Sequence, residues 1–238
     1  MKILCVAATK IEIGSLIRCF EDAGEYASVG DLRFRREGLE VDVLMTGVGL
    51  VPALYFVTRQ LKMETYDLLL NIGIAGSFYP QLETGDVVRV VEDNFADMGA
   101  QDDAGFYSMF QAGFWNKDER PFSNGRLIPQ VDMRWTGGLE SLAQVKGLTV
   151  QNVSGDPVHT REKLERYGAD VETMEGAAFF YVALMENKPA IQVRAISNMV
   201  GDRDAAGWDI PVATRNLGDA VFRYLQSLKA GPVNSGTK

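Results

Sequence analysis

The chain has 238 residues, of which 46% are hydrophobic and 24% charged, as is ordinary for a globular protein in water. Its net charge of −8 argues against nucleic acid or an anionic membrane as its main partner, because binding phosphates requires a basic face. A small anionic substrate remains possible, since one or two local arginines suffice to bind it.

Apolar runs and cysteines both favour a cytoplasmic protein. The N-terminal apolar run covers only residues 3–8, whereas a secretory signal needs roughly 7–15 apolar residues. No run approaches the roughly 18 residues that span a membrane. Cys5 and Cys19 have neither metal-binding nor redox spacing, so we predict that both are reduced core residues.

Strand and helix patterns alternate along the chain. Apolar runs with β-branched residues predict strands at 3–8, 32–36, 41–47, 67–76, 85–95, 148–154 and 190–197. Apolar residues at helical spacing predict helices at 11–24, 51–61, 175–187 and 212–228. Continuous apolar strands interleaved with helices are typical of a sheet covered on both faces. We therefore predict an α/β fold, a three-layer α/β/α sandwich with a mixed, mostly parallel sheet.

We predict a single domain over residues 1–230, since neither a repeat nor a linker interrupts the pattern. Residues 96–135 fall outside the alternation and carry many aromatic side chains without clean periodicity. A long aromatic insert of this kind is usually a functional loop or an interface segment rather than core. Residues 231–238 are small and polar, which predicts a disordered tail.

Glycines and small polar residues recur where the predicted strands end, as in TGVG (46–49), NIGIAGS (71–77) and RAISN (194–198). Ligands of open α/β sheets bind beyond the carboxyl ends of the strands. One such turn would mean little, but several together predict a pocket at this edge of the sheet.

The common cofactor and metal motifs are absent from the sequence. GVGLVP (47–52) resembles a dinucleotide fingerprint, but a proline replaces the third glycine and no acidic residue follows at the expected distance. Neither a phosphate-binding lysine motif nor a cluster of metal ligands is present, so we expect no cofactor and no metal. A catalytic triad that includes His159 would need a nucleophile elbow, and the sequence contains none. We therefore expect His159 to contribute backbone or shape to a pocket rather than act as a general base.

Two glutamates stand at strand-to-helix corners. Glu175 begins a predicted helix, and Glu12 lies in the first turn of a predicted helix that follows a strand. A carboxylate there is stabilised by free backbone N–H groups, so a plain helix-start glutamate accounts for each residue taken alone. The two could also converge, one orienting sugar hydroxyls and the other activating water. Spacing alone leaves both interpretations open.

Taken together, these strand ends resemble the nucleoside phosphorylase/hydrolase superfamily, in particular the methylthioadenosine/adenosylhomocysteine nucleosidases. The resemblance covers nearly the whole chain, and the order and spacing of its short motifs make the combination specific. The matching motifs are Glu12, GVG (47–49), NIGIAG (71–76), GDVV (85–88), VSGD (153–156), MEGAA (174–178) and RAIS (194–197).

The resemblance implies a role for each matching residue. Glu12 would polarise the attacking water with help from Arg194, and Glu175 would bind the 2′- and 3′-hydroxyls of the ribose. Ser197 would orient Asn198, which stands at the leaving base. The other substrate-binding residues would be Ala75, Gly76, Val158, His159, Met174 and Trp208. The resemblance also implies a small nucleoside as the partner and a homodimer as the assembly.

Two departures from the family's pattern point to the reaction. The phosphorylases carry a Gly-Asp-Pro-x-Arg phosphate loop where this chain has AATKIE (7–12), so we expect water as the nucleophile. The nucleosidases have an acid where this chain has Asn198. An amide can donate to O6 of a purine and accept from a protonated N7, whereas an ionised acid cannot donate. Since a buried polar mismatch costs about 1–3 kcal/mol, we predict hydrolysis of a 6-oxopurine nucleoside.

A narrower resemblance is carried by MEGAAFFY (174–181), RAISN (194–198) and NMVGDRDAAGWDIPVA (198–213). These segments are similar to hydrolases of a hypoxanthine riboside with a bulky aromatic acid at its 5′ carbon. The insert 96–135 could enclose that group, and Arg203 could pair with its carboxylate. The remaining alternatives are an adenine-type nucleosidase, a purine nucleoside phosphorylase and a non-catalytic nucleoside-binding protein.

Overall fold

A computed structural model describes residues 1–24, 26–28, 32–201 and 207–228; the predicted tail at 231–238 and Arg203 lie outside these ranges. The strands are β1 (Lys2–Ala7), β2 (Ala27–Ser28), β3 (Arg33–Arg36), β4 (Leu39–Met45), β5 (Leu68–Ser77), β6 (Val87–Glu92), β7 (Gly99–Asp102), β8 (Gly105–Ser108), β9 (Ala143–Thr149), β10 (Val171–Thr173) and β11 (Ala190–Met199). The helices are α1 (Lys10–Ala23), α2 (Leu50–Met63), α3 (Met133–Thr136), α4 (Pro157–Tyr167), α5 (Gly176–Met185) and α6 (Ile210–Ser227). Within the described ranges, no helix is long and apolar enough to cross a membrane.

Nine strands form one sheet in the order β10-β9-β6-β11-β5-β1-β4-β3-β2. β11, β5, β1 and β4 run parallel to one another, as do β6, β9 and β10. The two parallel groups meet where β6 lies antiparallel to β11, and β3 and β2 add an antiparallel edge beside β4. The predicted mixed, mostly parallel sheet is therefore confirmed.

β1 illustrates how the sequence builds three layers. Ile3, Cys5 and Ala7 pack in one core cluster with buried residues of α1 and α6. Leu4 and Val6 pack in the other cluster with buried residues of α2 and α5. Because successive side chains of a strand point to opposite faces, a continuous apolar strand can serve both cores. The sheet is thus covered by α1 and α6 on one face and by α2 and α5 on the other.

Several elements differ from the predicted ones. β9 lies at Ala143–Thr149 rather than at 148–154, so the VSGD motif follows the sheet instead of belonging to it. The sequence pattern did not predict α4, because none of its residues is buried and no apolar stripe marks it. β10 was missed because it has only three residues, too few for a periodic pattern.

The insert 96–135 was predicted to be a functional loop or interface segment rather than core, and this is wrong for several of its side chains. Phe122 is 6% exposed, and its ring packs against Phe110, Trp115 and the Tyr181 ring of α5. Most of α5 is buried and apolar, so it needs a cover on the side that faces away from the sheet. The aromatic side chains of the insert provide part of that cover.

Substitutions of two phenylalanines test whether the insert forms part of the core. We expect Phe122→Ala to lower the free energy of unfolding by about 3–5 kcal/mol, because it opens a cavity between the insert and α5. Phe114→Ala is the matched control, since Phe114 is 69% exposed and should change the free energy by no more than about 0.5 kcal/mol. Urea denaturation measures both values. Equal effects of the two substitutions would contradict a core role for the insert.

Candidate active site

A cavity of about 270 Å³ opens at the carboxyl ends of β1, β5, β10 and β11, at the edge where the sequence predicted a pocket. Residues from both parallel groups of strands meet there, because β10 also pairs with the end of β5. Eight of the predicted site residues line this cavity: Glu12, Ala75, Gly76, Met174, Glu175, Ser197, Asn198 and Trp208.

Glu12 is held in place by the helix that carries it. Thr9 caps α1 and forms a capping box with Glu12, in which the carboxylate oxygen Oε2 accepts from the backbone N–H of Thr9 at 2.9 Å. The other carboxylate oxygen, Oε1, accepts from the backbone N–H of Ile74 at 3.1 Å. The carboxylate is therefore anchored to both α1 and β5 and is only 6% exposed. Thr9 and Glu12 have the T-x-x-E spacing of a capping box, so the sequence also contains a signal for Thr9.

Glu175 is the N-cap residue of α5, but its side chain does not cap that helix. Stabilisation by the charge of the helix N-terminus, which the sequence suggested, stays a prediction. Its Oε1 instead accepts from the backbone N–H of Gly49 at 2.8 Å, and Gly49 adopts a φ of 102°, a conformation that favours glycine. Burial raises the pKa of Glu175, the charge of Glu12 raises it further, and the charge of Arg194 lowers it.

Arg194 lies behind the cavity rather than in its lining, and it is 1% exposed. Its Nε donates to Oε1 of Gln192 at 2.9 Å, and its Nη2 donates to Oδ1 of Asn71. A Cβ added at Gly73 would lie 2.6 Å from Oε1 of Glu12 and closer still to Nη1 of Arg194. The carboxylate and the guanidinium thus both approach the backbone of β5 at Gly73, where only glycine leaves room for them.

Ser197 and Asn198 owe their placement to an irregularity in β11. Ile196 pairs with Ala75 and Asn198 pairs with Gly76, so Ser197 is an extra residue at a β-bulge. The Ser197 hydroxyl donates to Oδ1 of Asn198 at 2.8 Å, and Nδ2 of Asn198 donates to the backbone carbonyl of Met199 at 2.9 Å. A carbonyl can only accept, so the amide nitrogen must face Met199 and the orientation of the amide is determined.

Val158 and His159 are not brought to this cavity. Both lie in the first turn of α4, and Val158 is 63% exposed. His159 lines a separate cleft formed by α4 and the β7–β8 hairpin, and its Nδ1 lies 2.7 Å from a carboxylate oxygen of Asp156. Their predicted contribution to the purine site stays a prediction. The insert 96–135 also contributes no described residue to the cavity lining.

Glu172 is a cavity residue that no motif in the sequence singles out. It stands on β10 three residues before Glu175, is 6% exposed, and lines the cavity. Its carboxylate accepts from the backbone N–H of Ser154 at 3.0 Å and from the Ser154 hydroxyl, and burial raises its pKa. The cavity therefore holds three buried carboxylates. Among the described residues, no group of three or more His, Cys, Asp and Glu side chains could hold a metal ion.

The family model of the phosphorylase superfamily matches residues 2–226, and the chain belongs to this superfamily. The resemblance read from the strand ends is thereby confirmed. A curated futalosine hydrolase of Streptomyces coelicolor is 30% identical to the chain over 236 residues, with 97% of each chain covered.

Two solved structures share the fold. A 5′-methylthioadenosine/S-adenosylhomocysteine nucleosidase of Colwellia psychrerythraea in complex with adenine superposes with a TM-score of 0.77 at 20% identity, covering 97% of this chain and 96% of that one. A futalosine hydrolase mutant of Helicobacter pylori superposes with a TM-score of 0.76 at 16% identity, covering 95% and 99%. At these identities the likeness shows the fold alone.

The buried state of Glu175 predicts an unusual pH dependence of stability. Because its pKa is raised in the folded protein, the contribution of Glu175 to stability falls as pH rises above the unfolded value of about 4.3. We expect the free energy of unfolding of Glu175→Gln, relative to the unsubstituted protein, to increase between acidic and neutral pH. Urea denaturation at a series of pH values measures this difference.

Glu40 supplies a control in which the pH dependence of stability should have the opposite sign. The hydrogen bond from Arg35 lowers the pKa of Glu40, so its contribution to stability is present at neutral pH and is lost as pH falls. Glu40→Gln should therefore become relatively less stable as pH rises. If Glu175→Gln followed the trend of Glu40→Gln, the buried and raised state of Glu175 would be refuted.

Proposed function

We propose that the chain hydrolyses the N-ribosidic bond of a 6-oxopurine nucleoside, and that its substrate is futalosine. The products would be hypoxanthine and dehypoxanthine futalosine, in a cytoplasmic route to menaquinone. Membership of the phosphorylase superfamily and the similarity to a named futalosine hydrolase support the reaction class. The observation that carries the choice of base is the amide of Asn198, held at the cavity wall by Ser197.

The attacking water would lie beside the Glu12 carboxylate, on the side where Arg194 approaches it. Water adds through its oxygen to C1′ of the ribose while the bond from C1′ to N9 breaks and its electron pair passes to the purine. One water proton passes to Glu12, and the departing purine takes up one proton at N7 from the solvent. Glu12 returns its proton to the solvent after the reaction, so that nucleoside and water give the free sugar and the neutral base. The transition state has oxocarbenium character, and the neighbouring buried carboxylates stabilise its positive charge.

Glu175 would bind the ribose hydroxyls. Its Oε1 is occupied by the Gly49 N–H, which leaves the other oxygen and the spare lone pairs as acceptors for two hydroxyl donors. Met174, the preceding residue, also lines the cavity and would pack against the sugar. A carboxylate is suited to this role because hydrogen bonds from hydroxyls to a charged acceptor are stronger than those to a neutral one.

Asn198 would bind the base through the Nδ2 proton and the Oδ1 lone pair that its contacts within the protein do not use. One Nδ2 proton goes to the Met199 carbonyl, and the second is free to donate to O6 of hypoxanthine. Oδ1 accepts one hydrogen bond from Ser197 and keeps a lone pair for the proton on N7. Gly76 leaves room for this approach, since a Cβ there would lie 3.2 Å from Nδ2.

We also propose that the enzyme is a homodimer in which the neighbouring subunit covers the cavity. Ile11 and Val48 line the cavity, yet they are 65% and 54% exposed, and Val51 beside them is 72% exposed. Apolar side chains that are both exposed and at a ligand site are typical of surfaces that a partner or ligand covers. The 5′ aromatic group of the substrate would lie on this side.

Base release distinguishes the proposed reaction from its alternatives. We expect purified protein to release hypoxanthine from futalosine at the same rate with and without phosphate, because the nucleophile is water. Release of adenine from methylthioadenosine should be slower by at least about 10-fold, in line with a buried polar mismatch. Liquid chromatography of the released bases measures each rate. Adenine release that equals hypoxanthine release would contradict the proposed substrate class, and strict phosphate dependence would indicate a phosphorylase.

Two variants of α1 show whether the activity comes from this cavity. Glu12→Gln keeps the size of the side chain but removes the base, and should lower kcat by on the order of 10²–10⁴. Glu21→Gln, on the exposed side of the same helix, should leave kcat unchanged.

Asn198→Asp tests whether residue 198 selects the purine base. We expect this substitution to lower kcat/KM for futalosine at neutral pH by roughly 10-fold or more, because an ionised acid cannot donate to O6 and a lost hydrogen bond in a buried site costs about 1–3 kcal/mol. The ratio of kcat/KM for futalosine to that for methylthioadenosine should fall. An unchanged ratio would show that Asn198 does not select the base.

A further inference from the structure

We propose that Asp93 is a positioning residue that sets the orientation of the Arg194 guanidinium through the side-chain amide of Gln192. The inference rests on the proposed function, since Arg194 affects catalysis only if the water that it helps to hold is the nucleophile. Asp93 follows β6, does not line the cavity, and is 0% exposed.

Three donors surround the Asp93 carboxylate. Its Oδ1 accepts from the backbone N–H of Asn94 at 2.8 Å and from the Thr149 hydroxyl at 2.9 Å. Its Oδ2 accepts from Nε2 of Gln192 at 3.0 Å. Gln192 in turn accepts on Oε1 from Nε of Arg194 at 2.9 Å. One amide therefore links the buried carboxylate to the guanidinium.

The donors and acceptors in these contacts allow only one orientation of the Gln192 side-chain amide. A guanidinium has donors and no acceptor, so Gln192 must turn Oε1 towards Arg194. Its Nε2 then points the other way and needs a partner that accepts, which the carboxylate of Asp93 provides. If Asp93 presented a donor instead, the amide of Gln192 would turn over and place its own N–H groups against Arg194.

Two glycines make room for the link. A Cβ at Gly147 would lie 2.6 Å from Oδ2 of Asp93, and a Cβ at Gly176 would lie closer still, against both Oδ2 and Oε1 of Gln192. Gly176 is the first residue of α5 and directly follows Glu175. The link thus passes under the start of the helix that presents Glu175. It is tied to that helix by Thr149, whose hydroxyl oxygen also accepts from the backbone N–H of Ala177 at 2.7 Å.

Stability does not account for the presence of this carboxylate. Burial raises the pKa of Asp93 to about 6, although its three hydrogen bonds and the charge of Arg194 oppose the rise. The folded protein therefore binds the proton more tightly than the unfolded chain, and the contribution of Asp93 to stability falls as pH rises through about 6. At neutral pH the ionised group costs stability, as is common for groups retained for function.

Asp93→Asn and Gln192→Met test the inference on the full-length protein. In Asp93→Asn, either orientation of the new amide directs its NH₂ at a donor, Gln192 in one case and the Asn94 N–H in the other. Gln192→Met conserves volume and removes the link. We expect each variant to lower kcat for futalosine by on the order of 10²-fold through misplacement of Arg194. KM should change little, because none of the three residues lines the cavity.

The double variant and a control separate positioning from stability. If both residues act through Arg194, Asp93→Asn combined with Gln192→Met should lose little more kcat than either alone. Asp42→Asn is the control: Asp42 is also buried and hydrogen-bonded, to Arg33 and Tyr66, but it lies outside the cavity. It should lower the melting temperature without changing kcat.

Two results would overturn the inference: kcat losses that multiply in the double variant, or single variants that keep the kcat of the unsubstituted protein. If Asp93→Asn does not fold, Gln192→Met alone decides, since its unchanged kcat would be sufficient to reject the link. Absence of base release by the unsubstituted protein would instead reject the proposed function.

Discussion

The positive charge of Arg194, buried in the sheet behind the cavity, is the constraint on which the rest of the site depends. Burial raises the pKa of Glu175, and the like charge of Glu12 raises it further. A charge without a partner in the interior costs several kcal/mol. The guanidinium of Arg194 opposes this rise in the pKa of Glu175, so its placement affects the electrostatics of the site.

β11 both buries Arg194 and places Ser197 and Asn198 at the cavity. The bulge at Ser197 separates these two parts of the strand. Before the bulge, regular parallel pairing with β5 keeps Arg194 in the interior, in register with Gly73. After it, the extra residue turns the strand so that Ser197 and Asn198 both face the cavity. A regular strand would send these two adjacent side chains to opposite faces. The bulge therefore converts a sheet strand into a wall of the ligand site.

The central sheet could be predicted from the sequence because its strands are continuously apolar. The corners of the site could be predicted from the glycines and small polar residues at the strand ends. The parts that could not be predicted have physical reasons. α4 has no buried residue, so no apolar stripe marks it in the sequence. Asp93 falls in the predicted strand 85–95 and looks like an ordinary acid there, since its burial depends on contacts with β9 and β11 that are distant in the chain. The bulge at Ser197 leaves no periodic signature in RAISN.

The amide at position 198 also makes sense electrostatically. The cavity already holds the carboxylates of Glu12, Glu172 and Glu175, and burial raises the pKa of the latter two. A fourth carboxylate at 198 would raise these pKa values further and would need its own proton before it could donate to a base. An amide offers its donor at every pH and adds no charge. The residue that we propose to distinguish a 6-oxopurine from adenine thus also limits the negative charge in the cavity.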